Sequence, residues 1–263
     1  MISASFDRFL YRDSPIHRLD ARVKVLGTVL FILSNALLPD GAWLAFVLAG
    51  LLVIVVAQLA QLGVWFAIKR SFVALPFALA AVTVLFTIPG RPLLTLSLGP
   101  WQPAISDAGL LRFTSILIRS FLSVQMAILL TAVTPFPDLI HALRHLRVSQ
   151  PIVTIISFMY RYLFVLADEA GRLLRAREAR SARLGTKGGG TLAWRARVVG
   201  HMAGQLFLRS YERSHRVYQA MLARGYGGHL LTMNPHVMTP PDWLALLFMF
   251  LWLAAVQLVG ITF

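Results

Sequence analysis

His141 and His145 stand four residues apart, a spacing that puts two imidazoles on one helix face as metal ligands require. No acidic residue or third histidine supports them, and their surroundings are basic, so no metal site is expected. Asp168-Glu169 is the one adjacent pair among eleven acids, and arginines stand near both. Gly185-Thr186-Lys187-Gly188 lacks the G-x-x-x-x-G-K-[ST] frame of a phosphate loop, with Gly188 where a magnesium-binding hydroxyl belongs. ATP must therefore be handled by another polypeptide, and the run Gly185 to Gly190 reads as a flexible inter-helix linker. The chain has no cysteine, which removes thiolate chemistry and disulfides. No Ser-His-Asp arrangement has a recognisable local context. The rival reading, a membrane-embedded enzyme acting on lipid-linked or phosphate substrates, thus finds no constellation to support it. Neither catalysis nor a bound cofactor is expected.

The arginines are more informative. From residue 152 to 175 the sequence fits a long helix with one polar seam: Thr154, Ser157, Arg161, Asp168, Arg172 and Arg175 fall within about 60°. Almost everything else up to Leu166 is apolar, so the helix should be embedded on several sides. Asp168 and Arg172 form an i,i+4 pair in the favourable order. Beyond them the helix becomes densely basic, with Arg177, Arg180 and Arg183. A second helix runs from about Leu192 to Ala223, about 48 Å long. One of its faces carries Arg197, His201, Gln205, Arg209, Glu212, Arg216 and Gln219. The other carries Val199, Leu206, Phe207, Val217, Tyr218 and Met221. Gly225, Gly227 and Gly228 end it. An arginine at a helix end can push its guanidinium fork into a carboxylate-bearing groove. Arginine followed by glycine is also ordinary helix termination, and both readings stand at this point.

The elements that must position these arginines are membrane helices. Hydrophobic residues make up 57% of the 263 and charged ones only 14%, whereas a soluble domain needs about a quarter charged. Runs 25–39, 41–68, 71–90, 120–137 and 243–263 contain no charged residue, and most approach the roughly 20 residues that cross a bilayer. Pro76 is placed to kink the third run. The segment 89–107, rich in glycine and proline, reads as an irregular loop. The formal net charge is +14. Basic residues cluster at 1–24, at Lys69-Arg70 and across 135–241, which puts the N-terminus inside and the C-terminus outside. Nucleic acid is not expected as a partner, because no stacking aromatics interleave with the basic run from Arg172 to Arg183. In the fourth span Arg112, Ser115, Arg119 and Ser123 share one stripe. An intramembrane arginine costs roughly 2.5–3.5 kcal/mol, so this stripe should face protein. The protein is either this chain's own bundle or another membrane subunit, with Arg112 and Arg119 as the contact.

These segments together resemble the transmembrane T component of energy-coupling-factor ABC transporters, most closely the cobalt-type branch, CbiQ. The likeness begins at Ser14-Pro15-Ile16-His17-Arg18-Leu19-Asp20-Ala21-Arg22-Val23-Lys24. It continues through Thr134-Pro135-Phe136-Pro137-Asp138-Leu139 and Phe158-Met159-Tyr160-Arg161-Tyr162, and is strongest at Ser210-Tyr211-Glu212-Arg213-Ser214 and from Ala220 to Gly228. The resemblance implies an all-α membrane protein with about five transmembrane helices and a cytoplasmic domain of long coupling helices. Its parts would be an N-terminal arm with helices one to four (1–134), the coupling helices (135–241) and a last span (242–263). It implies two Ala-Arg-Gly-like motifs that dock into two ATP-binding cassette ATPase subunits. The second is Ala223-Arg224-Gly225. The first is Ala179-Arg180-Ser181, with serine for glycine, and Arg180 is preferred to the neighbouring Arg177 as its arginine. It also implies a multi-pass protein of the cell inner membrane, held in the lipid bilayer. A separate substrate-binding membrane subunit of cobalt type would recognise cobalt, or nickel as the nearest rival.

Overall fold

The structure, a computed structural model, describes residues 9–95, 104–146, 148–180, 191–228 and 238–262. The chain divides into two compact units, one of residues 8–142 with 236–263 and the other built on 143–235.

In the first unit a short α1 (Pro15–Arg18), capped by the Ser14 hydroxyl, leads into α2 (Ala21–Leu37), capped by Asp20. A turn through Gly41, whose φ of 87° suits glycine, reverses the chain into α3 (Trp43–Leu59). Then come α4 (Val64–Arg70), a 3-10 turn (Ser71–Ala74) and α5 (Leu75–Thr87). Pro76 stands in the first turn of α5, where its missing N–H costs no helical bond. The helices on either side of this break are bent by 64°.

The segment read as an irregular loop contains a short antiparallel pair, β1 (Pro92–Thr95) and β2 (Ala104–Ser106), with Leu94 opposite Ile105. Pro92 opens its strand, a position that tolerates a missing donor. This pair brings the end of α5 to the start of α6 (Asp107–Val133). There the Ser106 hydroxyl donates to Ile88 O and accepts from Gly109 N–H. A Cβ on Gly109 would come within 2.9 Å of Leu85 O, so the approach of the two helices requires glycine.

The core lies among α2, α3, α6 and the last helix, α10 (Pro240–Thr262). Small residues on α3 (Ala45, Ala49, Ala57) are almost fully buried and allow close backbone approach. Leu122, Met126, Leu129 and Val133 of α6 face them at i,i+3/i+4 spacing. Outward, Trp243, Leu244, Leu247, Phe250 and Leu251 of α10 are exposed, an apolar band that only lipid or protein can cover. The helix α7 (Phe136–His145) follows α6 and carries His141 and His145. Among the described residues no group of three or more His, Asp or Glu comes together to hold a metal ion.

The second unit holds α8 (Gln150–Arg180) and α9 (Leu192–Ala223). The linker run Gly185 to Gly190 and Ser181 lie outside the described residues.

Length and apolarity qualify α6, α8 and α10 as membrane-crossing helices, and a fourth if the bent α4–α5 pair is one span. Helices α2 and α3, at 17 residues each, sit at the lower limit for spanning. The helix α8 was not among the five expected runs. It qualifies because its first half is almost wholly apolar, while its second half is the arginine-rich part. The protein is a helical membrane protein.

Candidate functional site

The stripe on α6 faces protein, and in the first unit that protein is the α2–α3 turn. Arg119 Nη2 donates to Leu38 O (2.6 Å) and to Asp40 Oδ1 (2.7 Å). Arg112 Nε reaches Asp40 Oδ2 at 3.6 Å. Ser115 Oγ accepts from Gly41 N–H at 3.1 Å, and Ser123 Oγ and Arg119 O accept from Asn35 Nδ2, each at 2.9 Å. The sequence supplied the stripe but not its partner, because Asp40 is remote in the chain. Side-chain exposure separates the two arginines: 21% for Arg119 and 58% for Arg112. We expect Arg119→Leu to lower stability by about 1–3 kcal/mol, since it leaves a buried carbonyl unpaired. Arg112→Leu should cost at most about 1 kcal/mol, as exposed pairs do. Thermal unfolding of the purified variants checks this, and equal losses would contradict it.

The stretch Ser14 to Lys24 clamps the N-terminal arm to the ends of α6 and α10. Asp242, buried at the start of α10, accepts from Asp20 N–H on Oδ1 (2.8 Å). Its Oδ2 accepts from the Thr239 amide (2.8 Å) and hydroxyl (2.6 Å). Lys24 Nζ donates to His17 O at 3.1 Å and Val133 O at 3.4 Å, and Leu10 N–H donates to Ala132 O at 3.0 Å. The His17 ring bridges Ser14 Oγ (2.7 Å) and Leu10 O (3.0 Å). Burial lowers its pKa below the ordinary imidazole value, so the neutral ring makes these bonds at neutral pH.

In the second unit α8 and α9 cross in opposite directions. Residues 154–166 of α8 face 210–221 of α9 across a groove of about 500 Å³. Phe158, Met159 and Tyr162 line one wall and Val217, Tyr218 and Met221 the other. The expectation that α8 is embedded is met only in small part within this chain. Val153 and Glu169 are its buried residues, while Ile155 is 65% and Met159 57% exposed. No residue of α9 is buried. This apolar surface needs a cover.

At the crossing the expected Asp168–Arg172 pair gives way to its neighbour. Asp168 is exposed, and Glu169 is buried and takes three arginines. Arg213 Nη2 donates to Oε2 (2.6 Å), Arg209 Nη1 to Oε1 (3.3 Å), and Arg172 approaches Oε2 at 3.8 Å. Helical spacing finds partners on one helix; these come chiefly from another.

Both helix-end arginines are exposed. Arg180 is the last residue of α8. Arg224 is the C-cap of α9, followed by Gly225 at φ 81°. Tyr226 N–H donates to Met221 O and Gly225 N–H to Leu222 O, each at 3.0 Å. This is a Schellman ending, which needs the glycine but not the arginine. Among the described residues neither Arg180 nor Arg224 makes a side-chain hydrogen bond or ion pair, unlike Arg18, Arg119, Arg172, Arg209 and Arg213. Ala179 and Ala223, beside them, are also exposed and small enough to let a partner approach.

Membrane helices joined to two long basic helices with free terminal guanidiniums describe a transporter component rather than a soluble binding module. The chain belongs to the CbiQ family of cobalt transport proteins, whose family model matches residues 12–237. It is 30% identical to the energy-coupling factor transporter transmembrane protein EcfT of Heliobacterium modesticaldum, over 88% of each chain. It is 26% identical to the cobalt transport protein CbiQ of Salmonella typhimurium, over 84% of this chain and 96% of that one. The EcfT of Leuconostoc gelidum is 27% identical, over 83% and 82%.

Proposed function

We propose that this chain is the transmembrane coupling subunit of an energy-coupling-factor ABC importer. Arg180 and Arg224, flanked by Ala179, Ser181, Ala223 and Gly225, dock into grooves on two ATP-binding cassette subunits. Motion of those subunits tilts α8 and α9, and the tilt reorients a substrate-binding membrane subunit seated on their apolar surface. Cobalt is the cargo the family description favours, with nickel the nearest rival. Membership of a transporter family supports a role without catalysis of its own.

The observation that carries this reading is the state of the two helix-end arginines. Both guanidiniums stand exposed at helix ends and make no side-chain hydrogen bond or ion pair among the described residues, so they are available to a partner's carboxylates. Arg119 is held by Asp40 and Leu38 O, whereas Arg112 meets Asp40 only at 3.6 Å and is more exposed, so of the α6 pair we assign contact with the substrate-binding subunit to Arg112. Capture of the ATPase subunits by the tagged chain, with uptake of labelled cobalt, tests the reading.

Charge placement supports an inner-membrane orientation with the N-terminus and the basic parts of α8 and α9 in the cytoplasm. Single cysteines at Arg91 and Gln205 check this in a chain that has none of its own. An impermeant maleimide should label position 91 from outside and position 205 only after lysis. Labelling of 205 alone in intact cells would reverse the topology.

A further inference from the structure

We propose that Glu169 is the fulcrum of the coupling helices, the positioning residue that makes α8 and α9 turn as one lever. This rests on the coupling function proposed above. The carboxylate is the one acid buried at the crossing, and each of its oxygens accepts from an arginine of α9: Oε2 from Arg213 at 2.6 Å and Oε1 from Arg209 at 3.3 Å. Arg209 and Arg213 are i,i+4 neighbours and so present one face to it. Around this point the contacts between the helices are otherwise apolar and open, since no residue of α9 is buried and the groove beside the crossing is unfilled. Apolar surfaces of that kind slide; a carboxylate held by two forks does not.

Arg180 lies eleven residues beyond Glu169, and Arg224 lies eleven beyond Arg213. Each span is about 16 Å of helix, close to three turns, so each arginine returns to within about 20° of its latch residue's face. Arg177 would be about 80° away, which favours Arg180 as the first docking residue on grounds separate from the motif. Because α8 and α9 run in opposite directions at the crossing, the two arginines lie on opposite sides of Glu169. The arms are equal. A displacement at one docking arginine is then passed through Glu169 to the other helix instead of being lost as slippage between them.

The test uses the full chain in lipid nanodiscs, spin-labelled at cysteines replacing the exposed Ala176 and Gln205. Glu169→Gln keeps the shape and removes the charge. In the wild type the interhelix distance distribution should be narrow, and Glu169→Gln and Arg213→Gln should each widen it. The double variant should be no wider than either single one. In the assembled complex both variants should retain ATP hydrolysis while uptake falls at least tenfold, whereas Arg197→Ala should change neither. A distribution that stays narrow overturns the proposal whether or not ATPase subunits bind. So does a widened distribution with normal uptake, and so does an equal loss of hydrolysis and uptake. Failure of the wild-type chain to capture ATPase subunits would instead overturn the coupling function itself.

Discussion

Arg224→Ala and Arg180→Ala will each reduce ATP-driven uptake by more than tenfold while leaving the chain folded in the membrane. Neither side chain supports the fold: both are exposed, and the Schellman ending at Gly225 is made by backbone atoms alone. On the proposed docking, truncation removes a charge contact in a partner's groove, where losing one member costs about 2–5 kcal/mol. Lysine will rescue only in part, because an ammonium cannot reproduce a planar, two-pronged donor. Gly225→Ala will be harmful for a different reason. Its φ of 81° strains any residue with a Cβ, so the helix end would move and take Arg224 with it.

Asp242→Ala will produce the largest loss of stability, about 2–4 kcal/mol. The carboxylate accepts from the Asp20 amide and from both the amide and hydroxyl of Thr239. It is only 3% exposed, so water cannot replace it, and each orphaned buried donor costs about 1–3 kcal/mol. Asp242→Asn keeps one acceptor oxygen and should lose about half as much. The measurement is thermal unfolding of the purified chain. An Asp242→Ala protein that melts with the wild type would show that the clamp between the starts of α2 and α10 is dispensable.

The long-period features were the legible ones. The amphipathic pattern of α9 gave its bounds, because Thr191 caps one end and the glycines after Arg224 close the other. The stripe on α6 was equally plain, since four polar residues at helical spacing stand out in an apolar run. Partners remote in the chain were not legible. Asp40 beneath Arg119, Arg209 and Arg213 around Glu169, and Asp20 against Asp242 are set by how helices pack, and no local periodicity encodes that. The local rule even pointed to the wrong acid, favouring Asp168 because i,i+4 spacing sees one helix only. It also placed Arg209 on one face of α9 without a partner, whereas Arg209 is tied to Glu169. The strand pair at 92–95 and 104–106 escaped for a related reason. Proline and glycine signal irregular chain, and the pairing depends on where α5 and α6 leave the two ends.

In the proposed coupling, two particular guanidiniums, and not bulk positive charge, hold the ATPase subunits. The most direct measurement is co-purification of those subunits with tagged Arg180→Ala, Arg224→Ala, Arg197→Ala and Arg216→Ala chains, expressed and purified in parallel. Arg197 and Arg216 are exposed on α9 away from its end and serve as charge-matched controls. The first two chains should lose most of the bound ATPase and the second two should retain it. Equal, mild losses in all four would contradict the proposed coupling.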